Sequence, residues 1–310
     1  MFIFRNIKEI NKFKESCLTI GSFDGLHKGH FRIISTLKKI GLKKSIPTVL
    51  ITFDPHPKMI LSNKKTSYLQ SIDDKIELLS KFKLDYLFII TFDNQISNIS
   101  AYDFLCKYII NPFCPSNIII GKDHRFGKNR IGDLCFLEGH QEYFKYKLHI
   151  VNLKENMSKK ISSTNIRNLI ESGDVEKANL LLGRLFSFKG KVKRGNGLGI
   201  QLGFPTLNIQ LNNSNQLIPA NGVYCVEVLI GNNLLLGMCN IGYRPTFYKD
   251  SNKIIEVHVI NYENKVINEE FVEVRFKQFL RKEKKYDNKN DLIFQLNYDK
   301  NQCIKLNNIN

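Results

Sequence analysis

Between residues 17 and 121, short β-branched runs alternate with longer amphipathic ones, and this alternation constrains the fold more than any other feature of the chain. CLTIG (17–21), IPTVLITF (46–53), DYLFIITF (85–92) and SNIIIG (116–121) read as strands. HFRIISTLKKIGLK places apolar residues near helical spacing with a glycine, Gly41, at its end. DDKIELLSKFKL is amphipathic and opens on Asp73 and Asp74, where carboxylates suit the helix dipole. AYDFLCKYIINPF reads as a helix ended before Pro112. Parallel strands need long crossovers, so strands separated by helices predict a parallel α/β sheet. Ligands of such sheets bind beyond the carboxyl ends of the strands. The turns after Ile20, Phe53, Phe92 and Ile120 therefore share one rim, and they carry GSFDGLHKGH, DPHP, DNQ and GKDHRFGKNRIGD.

The pattern then changes. STNIRNLIESGDVEKANLLLG (163–183) reads as helical with a break at Gly173. From FSFKGKV onward the segments are short, alternate in polarity and are separated by turn residues: GVYCVEVLI, NNLLLGMCNIG, IIEVHVINYE and EFVEVRFKQFL. This half reads as an antiparallel barrel or sandwich followed by a final helix, KNDLIFQLNYDKNQC. The boundary is expected near residue 185, giving domains 1–185 and 186–310. No Gly/Ser- or Pro-rich linker marks it, and no internal repeat is visible.

Charge and cysteine usage narrow the function class. The 310 residues carry a net charge of +17. Its sharp reading is nucleic-acid binding, but the lysines are dispersed and no basic run is interleaved with aromatics, so no nucleic-acid partner is expected; a basic surface also suits nucleotide substrates. No stretch approaches the roughly 18 apolar residues of a membrane helix, and the charged start MFIFRNIKEINKFK does not read as a secretory signal. The seven cysteines are odd in number and form no C-x-x-C pair, which suits reduced thiols rather than disulfides or a zinc site. A cytoplasmic protein that contacts no membrane, monomeric or weakly homo-oligomeric, is expected.

The turn GSFDGLHKGH combines a strand end, three glycines and a helix start, the arrangement that presents backbone N–H groups to phosphate. If the helix starts near Leu26, His27 and His30 share a face, where imidazoles could stabilise charge in a phosphoryl or nucleotidyl transfer. Metal ligation and an incidental helix start stand as alternatives, the former short of third and fourth ligands. In the second half, GNGLGIQLGFPTLNI offers Gly195, Gly197 and Gly199 as a loop whose amides can wrap phosphates. Thr206 and Asn208 alternate with Leu207 and so face one side of a strand, with oxygens that suit Mg2+. Read alone, PTLN is only a turn into a strand.

TIGSFDGLHKGH resembles the H-x-G-H signature of the nucleotidyltransferase superfamily, and FDGLHKGH is especially similar to the prokaryotic bifunctional FAD synthetase family, which joins riboflavin kinase to FMN adenylyltransferase. TFDPHP (52–57), GKDHRFGKNRIGD (121–133) and ISSTNIRNLIESGDVEKANLLLGR (161–184) resemble further motifs of its first half, with His124 where Phe is usual. GFPTLN, NIGYRPTF (240–247) and FLRKEKKY (279–286) resemble its kinase half. The resemblance covers about residues 15 to 300.

It implies a Rossmann-like nucleotidyltransferase domain followed by a β-barrel riboflavin kinase domain with a C-terminal helix. The implied substrates are riboflavin, FMN and ATP, with Mg2+ as cofactor and FMN and FAD as products. Gly21, Phe23, Asp24, His27 and His30 would bind ATP for adenylyl transfer, the two histidines stabilising the transition state. Ser163, Thr164 and Arg167 would hold the β- and γ-phosphates, with helix capping as a second role for the hydroxyls. Asp123 would meet the ribose or adenine. His56 and Phe126 would line the flavin or nucleotide pocket, a structural role being the alternative. In the kinase half, Gly195, Gly197, Gly199 and Thr206 would bind ATP, and Thr206 and Asn208 the metal. Glu256 would be the general base toward the ribityl 5′-hydroxyl. Arg244, Arg281 and Glu283 would serve the flavin, a surface ion pair being the alternative for the last two. Ile200 stands where the family has a basic residue near nucleotide phosphate, with Arg194 as partial compensation. That departure motivates the alternative of a monofunctional adenylyltransferase whose barrel binds flavin with weak or no kinase activity.

Overall fold

The computed structural model describes residues 1–62, 67–152, 161–193, 197–211, 213, 215–243, 253–262 and 271–308. They form two compact units, Met1–Ser163 and Thr164–Asn310.

The first unit is built on six parallel strands, β1 (Phe2–Phe4), β2 (Ser16–Ile20), β3 (Thr48–Asp54), β4 (Tyr86–Thr91), β5 (Pro115–Gly121) and β6 (Lys147–Val151), in the order β1-β4-β3-β2-β5-β6. Every residue of β2 is buried, as expected of a strand covered on both faces. Alternate residues of the central strands feed two cores. Leu18, Ile20, Val49, Ile51, Phe88, Ile90, Ile118 and Ile120 belong to one, while Cys17, Leu50, Leu87, Ile89 and Ile119 belong to the other. Helix α1 (Lys28–Lys44) packs Ile33, Ile34 and Leu37 into the second core, and α2 (Ile72–Ser80) adds Leu79.

Two local expectations are revised. Gly41 does not end α1; the helix continues to Lys44, and Ser45 closes it in the left-handed conformation. Gly41 is a contact glycine, since a Cβ there would lie 2.5 Å from the Thr48 Cγ2. Helical backbone also continues past Pro112 to Phe113, because a wider π-turn at Leu105–Ile110 precedes the proline and accommodates its missing N–H.

From β2 the chain passes to β3 and β4 on one side, then returns to place β5 on the other side of β2. The switch point of the sheet therefore lies between β2 and β5, where a ligand crevice forms in open α/β sheets. GSFDGLHKGH follows β2, and GKDHRFG begins at the last residue of β5.

The second unit is a closed antiparallel barrel, not a sandwich. Its strands are β7 (Phe186–Lys193), β8 (Leu207–Leu211), β9 (Gly222–Ile230), β10 (Asn233–Tyr243), β11 (Lys253–Val259) and β12 (Phe271–Arg281), in the order β10-β11-β8-β7-β12-β9. Phe188, Val226, Val228, Ile241, Val257, Val274 and Phe276 are fully buried or nearly so. Helix α3 (Ser163–Glu171), from its second residue Thr164 onward, and α4 (Val175–Leu182) cluster with this unit. Asn179 Nδ2 donates to the Phe276 carbonyl while its Oδ1 accepts the Phe186 N–H, and the Ala220 N–H bonds the Ile170 carbonyl. The C-terminal helix α5 (Lys289–Asn308) seats Cys303 in a cluster with Cys225, Met238, Phe204 and Ile260.

Candidate functional site

The turn between β2 and α1 is strained and tightly held. Phe23, Gly25 and Leu26 have φ of 46°, 76° and 38°, and for non-glycine residues such conformations cost about 1–3 kcal/mol each and persist only where the surroundings enforce them. Here the surroundings do. The Gly21 N–H donates to the Ile51 carbonyl at 3.1 Å and the Leu26 N–H to the Phe23 carbonyl. Asp24, 1% exposed, accepts the Leu69 N–H on Oδ1 at 3.1 Å. The Ser163 hydroxyl donates to the Asp24 carbonyl at 2.9 Å, so Ser163 joins this turn although 139 residues separate the two. The Ser22 carbonyl accepts from Thr52 Oγ1 at 3.2 Å and from the Lys75 ammonium at 2.8 Å.

The helix starts at Lys28, with His27 as its N-cap. His27 Nδ1 accepts the His30 N–H at 3.3 Å, which leaves the ring proton of a neutral imidazole on Nε2, the donor form that a phosphate oxygen needs. The two imidazoles stack with centroids 3.7 Å apart and 12° between planes, and Phe23 meets His30 edge-on at 5.1 Å. Cap, imidazole pair and backbone N–H groups converge at one helix N-terminus, which favours an anion.

On the neighbouring β5 rim, Asp123 is exposed. His124 has a buried Nε2 with no hydrogen-bond partner, and burial pushes its pKa down to about 4. Phe126 is a core residue, 7% exposed and within 6 Å of the Phe104 and Phe136 rings. His56 caps the short helix Pro57–Leu61 through Nδ1. Both thus have visible structural roles. Thr164 and Arg167 follow Ser163 on α3, and Arg167 is buried. Lys75 and Thr52 are additions that motif reading did not single out.

In the barrel, strand register assembles a polar row. Asn240 pairs with Glu256, Glu256 with Asn208, and Asn208 with Lys193 across β10, β11, β8 and β7. Paired residues project to the same side, and their neighbours Cys239, Val257, Leu207 and Ile209 are buried, so the row lies on the outer face. Glu283 reaches it, accepting from Asn240 Nδ2 at 3.4 Å, and its carboxylate occupies the space a Cβ on Gly242 would need. Thr206 immediately precedes β8. Gly199 lies against the Phe204 carbonyl and the Thr206 hydroxyl, leaving no room for a Cβ, while Gly197 has φ 72°. Ile200 is 69% exposed on the same short segment. Arg281 is held by Asp299, whose carboxylate accepts from Nε and Nη2 at 2.7–3.1 Å and also from Gln295. Gly195, Arg194 and Arg244 lie outside the described residues.

Among the described residues no three His, Cys, Asp or Glu side chains gather to hold a metal ion. The oxygens of Thr206, Asn208 and Glu256 are the chemistry a hard cation shared with phosphates takes. All seven cysteines are free thiols, and no helix among the described residues is long and apolar enough to cross a membrane.

Comparison with known proteins matches both halves of the chain. Residues 9–165 match the FAD synthetase family model and residues 182–307 the riboflavin kinase model. Bifunctional riboflavin kinase/FMN adenylyltransferases of Listeria monocytogenes and Buchnera aphidicola (from Schizaphis graminum) are 36% and 39% identical, over 94% and 95% of this chain and 91% and 94% of theirs. That of Bacillus subtilis is 32% identical over 94% of this chain and 92% of its own. A solved Streptococcus pneumoniae structure, titled a macrolide-efflux protein, superposes with a TM-score of 0.87 at 29% identity over 97% of both chains. Matches to both family models favour two activities over the monofunctional alternative. The chain belongs to the bifunctional riboflavin kinase/FMN adenylyltransferase family.

Proposed function

We infer that one chain carries out two successive ATP-dependent steps: phosphorylation of riboflavin to FMN on the barrel, then transfer of AMP from ATP to FMN in the segment 1–185, giving FAD and pyrophosphate. The observation that carries this reading is a pair of arrangements suited to phosphate: the His27–His30 cap turn at the sheet's switch point, and the Glu256 row beside the Thr206 loop.

In the kinase step Glu256 takes the proton of the ribityl 5′-hydroxyl as that oxygen attacks the γ-phosphorus of ATP, the bond from the γ-phosphorus to the bridging oxygen breaks, and ADP leaves. Amides at Gly197 and Gly199, with Gly195, wrap the phosphates. Thr206 and Asn208 would hold Mg2+, which when bound offsets phosphate charge. Arg281, fixed by Asp299, and Glu283 orient the flavin, together with Arg244. In the adenylyl step an FMN phosphate oxygen attacks the α-phosphorus and pyrophosphate leaves. His27 and His30 donate to the charge that develops there. Ser163, with Thr164 and Arg167 along the same helix, holds the departing phosphates. Asp123 contacts the nucleoside, and His56 and Phe126 support the flavin side. The reaction and the free thiols fit a cytoplasmic setting.

The test is product analysis. Purified chain with riboflavin and Mg–ATP is expected to yield FMN and then FAD with pyrophosphate. FAD from supplied FMN, but neither product from riboflavin, would restore the monofunctional alternative.

A further inference from the structure

Lys75 is a cation where a soluble helix ordinarily places an apolar side chain. It lies on α2 between Ile72, Ile76 and Leu79, is 4% exposed, and turns its ammonium toward the end of β2. Nζ donates to the Ser22 carbonyl at 2.8 Å and approaches Thr52 Oγ1 at 3.4 Å, while the Thr52 hydroxyl donates to the same carbonyl at 3.2 Å. Ser22 is the residue before Phe23, the first of the left-handed positions that deliver His27 and His30.

We propose that Lys75 is a positioning residue for adenylyl transfer: its buried ammonium clamps the Ser22 carbonyl and thereby holds the strained turn in the conformation that presents the two imidazoles. This rests on the assignment of that turn to the adenylyl step. A buried cation is costly unless partnered. Here a carbonyl, a hydroxyl and two nearby carboxylates, Asp24 on the turn and Asp54 at the end of β3, meet that need. A charged donor also holds the carbonyl more firmly than a neutral one.

The arrangement has a pH signature. Burial pushes the Lys75 pKa down to about 8, against the pull of Asp24 and Asp54. Tyr68 faces Asp54 as well, with Asp73 and Asp74 from the first turn of α2, and burial raises it to about 12, so it stays neutral through this range. His27 and His30 occupy the far end of the turn. With a pKa lowered into this range, the charge on Lys75 is present below pH 8 and lost as pH rises through it. The clamp weakens in the same direction.

The experiment uses the full chain and its kinase step as internal control. K75M is expected to lower the turnover number for FAD formation from FMN by about tenfold or more, while FMN formation from riboflavin stays within about twofold. The wild type is expected to show an alkaline fall in FAD formation near pH 8 that FMN formation does not share. K75R, charged at every pH used, is expected to recover activity relative to K75M and to move that fall upward. Wild-type FAD formation in a folded K75M overturns the proposal. If K75M does not fold, an alkaline limb unchanged in K75R overturns it. A wild type that makes no FAD from FMN removes the site assignment itself, a result distinct from either.

Discussion

Asp299→Asn tests how the barrel holds Arg281, the arginine proposed to orient the flavin. The carboxylate is 1% exposed and accepts two bonds from Arg281 Nε, one from Nη2 and one from Gln295. The substitution keeps the shape and removes the charge, leaving a guanidinium that is one-fifth exposed opposite a neutral amide. Removing one partner of a buried pair costs about 3–5 kcal/mol. Arg281 retains some water and its bond to the Lys282 carbonyl, so the lower end, about 3 kcal/mol, applies here. That corresponds to a fall of roughly 10 °C in the melting temperature of a unit this size. Urea unfolding followed by fluorescence measures it, as a lower midpoint at unchanged slope. In native conditions the released Arg281 is expected to raise the KM for riboflavin while FAD formation from FMN is unaffected. A loss under 0.5 kcal/mol, with riboflavin kinetics unchanged, would refute the argument that this pair fixes the arginine; about 0.5 kcal/mol is the range of featureless surface changes.

Gly25→Ala is expected to destabilise the first unit by about 1–2 kcal/mol, because its φ is 76° and the new Cβ would lie 2.7 Å from Leu69 Cδ1; thermal unfolding and FAD formation are both expected to fall. Asn208→Ala removes one oxygen beside Glu256 and is expected to slow FMN formation and raise its Mg2+ requirement by about tenfold or more. A Mg2+ titration of riboflavin phosphorylation checks this, with FAD formation from FMN as the unaffected reference.

The fold class was legible because both halves write their periodicity locally. The four inner strands of the first sheet stand out as β-branched runs. Its edges do not: Phe2–Phe4 is too short to show a pattern, and every residue of Lys147–Val151 keeps some exposure. Barrel and sandwich could not be separated in sequence, since closure depends on β12 pairing with both β9 and β7, which no local pattern encodes. His27 and His30 were legible as a helix-start pair, yet the cap bond and the stacking required the turn's backbone. Glu256 was found by resemblance, and its place between Asn208 and Asn240 follows from register. Lys75 carried a readable signal, a lysine within the stripe Ile72, Ile76 and Leu79. Its meaning required the Ser22 carbonyl. Arg281 was legible, but not its buried partner Asp299.

The central claim is that the two chemistries use separate sets of side chains. The most direct measurement is a pair of variants assayed for both products. His30→Ala is expected to abolish FAD formation from FMN while leaving FMN formation from riboflavin near wild type. Glu256→Ala is expected to abolish FMN formation while still converting supplied FMN to FAD. Loss of both activities in either folded variant, or retention of FAD formation by His30→Ala, would contradict the account.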